Sequence, residues 1–153
     1  MMKKIKTLAL LAALWTTGFI LSGCGDEEQT EDCIPADNSV IELTTNLSGR
    51  NFHIGDTVII SWKVDRNKIS NGQIVVDISP DNGITWSAIP SAGIAIPQGQ
   101  YQCMEMTWVI GNEGEVVDYE DKNDKCIIRI HEYSNNSNGV VFSQQKFSIS
   151  SKK

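Results

Sequence analysis

Few residues in this 153-residue chain have the type and spacing to do chemistry. His53 and His131 are the two histidines, and neither has a partner at a recognisable zinc-ligand spacing. Between Gly111 and Lys125 stand Glu113, Glu115, Asp118, Glu120, Asp121 and Asp124. Such oxygens suit calcium, but their order is not that of an EF-hand loop, and the segment reads as a solvated acidic loop. Hydrolysis by paired carboxylates needs two groups at a defined separation, and no Asp/Glu pair is singled out here. A serine nucleophile would be expected on a G-x-S-x-G elbow; the chain has none, and Ser22 and Ser61 have no motif around them. The chain therefore reads as a non-enzyme, with no catalytic residue, cofactor or metal site assigned.

The sharpest local pattern is Ser79-Pro80-Asp81-Asn82-Gly83-Ile84-Thr85-Trp86. It predicts a structural turn built on Ser79, Asp81, Gly83, Thr85 and Trp86. Short acidic side chains accept backbone N–H bonds in turns, and Gly83 tolerates positive φ. Pro80 lacks a ladder donor, which suits a strand end. Trp86 supplies a large ring to lay over the turn or into the adjacent core.

The elements that would hold this turn are strands. Val40–Thr45 predicts the first. In Thr57–Val64, Val58, Ile60, Trp62 and Val64 share a face at period two. His53-Ile54-Gly55-Asp56 supplies the turn before it. Gln73–Ser79 places Ile74, Val76 and Ile78 inward, with Asp77 on the other side, and Thr85–Ile89 follows. Tyr101–Ile110 sets Met104, Met106, Trp108 and Ile110 on one face. Cys126–Tyr133 sets Cys126, Ile128 and Ile130 against Arg129 and His131. Phe147 and Ile149 mark a short closing strand. No 11-residue window outside the leader carries a helical stripe, so the expected class is all-β, an antiparallel sandwich.

The N-terminus is built differently. Lys3, Lys4 and Lys6 precede an apolar run from Leu8 to Leu21, and Ser22-Gly23 lead into Cys24. That order is the layout of a cleaved secretory signal, and the run is shorter than the roughly 20 residues that span a bilayer. Its loss would leave 10 basic against 19 acidic residues, a net charge of about −9. So acidic a chain is poorly suited to nucleic acid or to a basic-patch contact with anionic lipid. Asp26, Glu27, Glu28, Glu31 and Asp32 crowd one short window, which predicts an extended, solvated spacer.

Three resemblances attach to these residues. Leu21-Ser22-Gly23-Cys24 resembles the lipobox of bacterial lipoproteins at every position, which implies a diacylglyceryl thioether on Cys24 and cleavage just before it. Gly25 stands where the inner-membrane retention signal places Asp, which implies the outer membrane. The acidic run after it resembles the surface-export tethers of Bacteroidetes-type lipoproteins. The octet resembles the Asp-box of sialidase-like propellers, which also occurs singly in immunoglobulin-like and fibronectin-like domains of secreted bacterial proteins. In those families it is structural and lies away from the catalytic centre, and a single copy makes no propeller. From about Val40 to Ser150 the chain resembles single immunoglobulin-like lipoprotein domains. The fragments that carry this are Val58-Ile59-Ile60-Ser61-Trp62, the octet, Trp108, Cys126-Ile127-Ile128-Arg129-Ile130 and Phe147-Ser148-Ile149.

With Cys24 committed to lipid, Cys33, Cys103 and Cys126 remain, an odd number for an oxidising compartment. Cys103 with Cys126 is the preferred disulfide, because both lie on predicted core strands, although Cys103 falls on the face opposite Met104. Cys33 with Cys103 is the alternative. The organisation expected is a signal peptide at 1–23, a flexible acidic tether at 24–38, an immunoglobulin-like sandwich at 39–150 and a tail at 151–153. The function expected is a membrane-anchored, non-catalytic envelope module for adhesion or protein binding, its partner an envelope protein or glycan and not nucleic acid. A carbohydrate-binding accessory lipoprotein, with Tyr101, Trp86, Trp108 and Tyr133 as aromatics that could stack on sugar rings, is the second reading and a small secreted hydrolase the third.

Overall fold

The computed structural model describes residues 33–89, 93–112, 122–135, 139–143 and 146–151. Ten strands follow one another along the described chain: β1 Ile41–Leu43, β2 Asn51–His53, β3 Thr57–Asp65, β4 Gln73–Ser79, β5 Ser87–Ala88, β6 Ile94–Ala95, β7 Tyr101–Val109, β8 Lys122–Glu132, β9 Val141–Phe142 and β10 Phe147–Ser150. They form two sheets. The small one has the order β1-β3-β7, and the large one runs β2-β10-β8-β4-β5, with β6 on β4 and β9 on β8. Cys24, with the leader and most of the tether, lies outside the described residues.

Period-two alternation decides which side chains meet. β3 turns Val58, Ile60, Trp62 and Val64 inward, and β4 turns Ile74, Val76 and Ile78. β8 adds Cys126, Ile128 and Ile130, and β10 adds Phe147 and Ile149, all buried in one cluster. Each fully buried aliphatic side chain contributes roughly 1.5–3 kcal/mol relative to exposure, so this shared face is the main force holding the sheets together. Phe52 of β2 meets Phe147 edge to face at 5.8 Å. The result is an all-β domain of two packed sheets, a β-sandwich in its generic form.

Not every pairing is antiparallel. β2 runs parallel to β10, with Ile149 opposite Phe52. Nearly a hundred residues separate these strands, so no hairpin fixes their relative direction. The short strands β2 and β6 carry too few residues to show a period. Thr85–Ile89 shrinks to Ser87–Ala88 because Thr85 is spent on the preceding turn. Val40–Thr45 shrinks at its end because the N–H groups of Thr44 and Thr45 both reach Ser61 O.

The disulfide differs from the preferred pairing. Cys33 bonds Cys103, with Cα atoms 5.0 Å apart, and Cys126 remains a buried thiol. The reason is parity: Cys103 is exposed on the outer face of the small sheet, whereas Cys126 is wholly buried on the inner face of the large one. Within the expected tether, residues 33–38 lie against the domain. Pro35 is buried, the Ala36 N–H donates to Glu42 Oε2 at 2.8 Å, and Lys68 Nζ donates to Asn38 O at 2.9 Å.

Candidate functional site

The octet closes on itself. Ser79, buried at the end of β4, donates its hydroxyl to Asp81 Oδ1 at 2.8 Å. Its oxygen accepts the N–H groups of Asp81 and Gly83 at 3.3 and 2.7 Å. Asp81 Oδ1 also accepts the Thr85 N–H at 2.8 Å, and Asp81 Oδ2 accepts the Thr85 hydroxyl at 2.6 Å. Trp86 Nε1 donates to Gly83 O at 3.1 Å. The chain turns through left-handed Asn82 and Gly83 in succession. A Cβ on Gly83 would sit 3.3 Å from the Trp86 ring and 3.4 Å from Ile127, so glycine answers both the backbone angle and the closeness of the ring.

These bonds bear on chemistry. The Thr85 hydroxyl and N–H, together with Ser79, hold the Asp81 carboxyl at about 2, below its ordinary 3.8. A carboxyl held so low is a weak base near neutral pH. The turn positions Trp86; its own polar groups are consumed in doing so.

Trp86 lies on a polar bed that crosses the outer face of the large sheet. Asp77 of β4 stands directly opposite Arg129 of β8, which stands opposite Phe142 of β9. Arg129 Nε and Nη2 both reach Asp77 Oδ2 at 2.7 Å. His131 Nε2 meets the same oxygen at 3.0 Å, and His131 Nδ1 faces Glu132 O at 2.8 Å. A carboxylate oxygen and a backbone carbonyl thus flank the imidazole on its two sides. Asp77 and His131 are buried at 5 % and 4 % exposure, a depth at which polar groups are kept only when hydrogen-bonded.

Two aromatic rings stand over this bed. The Arg129 guanidinium stacks on the Trp86 ring 4.2 Å from its centroid. Phe142 meets Trp86 at 6.0 Å and 49°, and is half exposed. Ile84, in the same turn, is 81 % exposed. Phe142 also walls a cleft of about 140 Å³ beside residues 43–48, smaller than the roughly 300–1,000 Å³ of ordinary small-molecule pockets.

The aromatics proposed for sugar stacking do not line up. Trp108, like Trp62, is buried in the core. Trp86 has one face under Arg129 and is tilted against Phe142. Tyr101 is half-buried, on the small sheet, and Tyr133 is exposed at the far end of β8. Among the described residues no group of three or more His, Cys, Asp or Glu side chains could hold a metal ion. Most of the acidic loop, residues 113–121, lies outside the described residues.

Sequence reasoning placed Asp77, Arg129 and His131 on the outward side of their strands. It missed their junction on one carboxylate oxygen, and missed Ile84 and Phe142 as surface residues. The outward alternation of β4 and β8 was the available signal, but only the register Asp77↔Arg129 turns it into a site. No protein-family model, no curated protein and no solved structure matches the chain. The functional reading is therefore built from the chain's own residues.

Proposed function

We propose that this chain is a lipid-anchored, non-catalytic module of the bacterial cell envelope, with an immunoglobulin-like sandwich that binds a protein partner. Cys24 carries the lipid and sits in the outer membrane, and Ile84, Trp86 and Phe142 form the contact surface. The observation that carries the reading is that Ile84 and Phe142 are exposed beside a half-buried Trp86, whose ring lies on the Arg129 guanidinium bonded to buried Asp77. Exposed apolar clusters mark interaction sites, and aromatic and arginine side chains are favoured anchors in them. The lipobox-like Leu21-Ser22-Gly23-Cys24 supports the anchor. The two packed sheets and their alternating cores support the fold assignment.

The tilt between Trp86 and Phe142 favours a protein over a sugar ring, which stacks best on open, flat aromatic faces. A pull-down from envelope extract run beside a glycan array tests the choice. Partner capture that depends on Ile84 and Phe142 supports the reading. Saturable glycan binding without such capture contradicts it.

A further inference from the structure

We propose that a second copy of this chain pairs with it along the free edge of β7, antiparallel, with Thr107 opposite its own counterpart. Sheet edges invite added strands unless they are short, bulged, or guarded by lysine or proline. Among the described residues the edge strands β1 and β2 have three residues each, and β5 and β6 two. β7 has nine, all in unbroken register with β3, and no described strand lies beyond it. It holds no lysine, proline or bulge. The phase of the ladder shows which groups it leaves open. Arg66 N–H donates to Gln100 O and Ile110 N–H to Asp56 O, just beyond the two ends of the pairing. Bonding residues alternate in an antiparallel pair, so the even-numbered residues of β7 bond β3. The N–H and C=O groups of Glu105 and Thr107 and the N–H of Val109 point the other way, while Val109 O accepts the Asn112 N–H at 3.3 Å.

Both ends of this open stretch are closed. Cys33 stands 5.0 Å from Cys103 between Cα atoms, about the spacing of adjacent strands, and Gly111 turns the chain away at φ 74°. A two-fold axis that maps residues 105–109 onto themselves passes through the middle one, Thr107. In that register Thr107 exchanges N–H and C=O bonds with its copy, and each Val109 N–H donates to Glu105 O of the other chain. The side chains agree with it. Glu105 is the only charged residue of β7, and it lies beside Val109 of the other copy rather than beside itself. Glu105 also borders, with Cys103, Ser61 and Lys63, an open groove of about 410 Å³. Val109 is 38 % exposed, so each copy lays an apolar side chain at the rim of the other's groove. The neighbouring register, with Met106 on the axis, would set Val109 against Cys103, where Cys33 already lies. Ile84 and Phe142 belong to the other sheet's side of the sandwich, so the pairing leaves them uncovered and does not depend on their role.

The test is position-specific oxidation of the full chain in isolated envelopes, with T107C and E105C compared on non-reducing gels. Both positions are exposed. Opposed residues of a bonded antiparallel pair have Cα atoms about 5.5 Å apart, within disulfide reach, whereas the two copies of residue 105 stand roughly 14 Å apart. T107C should therefore give about tenfold or more disulfide-linked dimer than E105C. Equal linking at both positions, or none at either, overturns the proposal. Sedimentation equilibrium of the full chain in density-matched detergent gives a second reading. The wild type should be a dimer and T107P a monomer, since the Thr107 N–H faces outward and proline there removes no bond to β3. A T107P that still dimerises overturns the pairing. So does a wild type that is monomeric throughout a dilution series, a result that stands whether or not the variants fold.

Discussion

Arg129 and Asp77 are direct cross-strand partners on β8 and β4, and two guanidinium nitrogens of Arg129 converge on one oxygen of Asp77. The same guanidinium carries the Trp86 ring on its face. Through this pair the charge buried under the sheet's outer face and the apolar ring above it form one unit. Asp77→Ala should therefore do more than remove a contact. It leaves partly buried Arg129 and buried His131 without their shared acceptor, and breaking a buried pair costs about 3–5 kcal/mol. Guanidinium unfolding monitored by near-UV dichroism should show the loss together with a changed Trp86 signal. A loss under about 1 kcal/mol, typical of a surface ion pair, would contradict the unit.

The Asp81 carboxyl gives a pH signature. Its folded value of about 2 lies below the ordinary 3.8, so its contribution is present in full above about pH 4. That contribution fades as pH falls from there toward 2. Asp81→Asn should lower stability at pH 6 and have much less effect near pH 2. Urea midpoints of both proteins across that range check this. A gap that persists unchanged at pH 2 would show that the carboxylate charge is not what the turn uses.

The disulfide spans 70 residues. Closing so long a loop restricts the unfolded chain, so C33S/C103S should lose about 2–4 kcal/mol. Cys126→Ala should instead act as a core truncation, leaving the Cys33–Cys103 bond intact in non-reducing peptide mapping. A mapped Cys103–Cys126 bond would contradict the Cys33–Cys103 pairing.

The sheets were legible where alternation ran long. β3, β4, β7 and the second half of β8 stand close to their predicted spans, because a buried face repeats every second residue in each. The octet was legible as a turn because Ser79, Asp81 and Thr85 bond within eight residues of one another. What escaped depends on register between distant strands. Nothing local to Asp77 says that Arg129 faces it 52 residues later. The Cys103 pairing was legible as the alternative: its outward position argued against the preferred Cys126, and Cys33 with Cys103 is the bond that forms.

The anchor has its own test. Cys24→Ala should abolish metabolic acyl labelling and release the protein from the membrane fraction. Unchanged lipid labelling would sink the lipobox reading, whatever the domain binds.

Whether Ile84 and Phe142 form the contact surface is decided by one comparison. The full chain is immobilised beside I84D/F142D and I59D, and the envelope protein captured by the wild type is quantified on each. Ile59 is a suitable control, since it is 54 % exposed on the opposite, small sheet. Hot-spot residues typically contribute 2 kcal/mol or more, so I84D/F142D should weaken capture by about 30-fold or more while I59D leaves it near wild type. Equal capture by all three proteins, or loss only in I59D, would contradict the account.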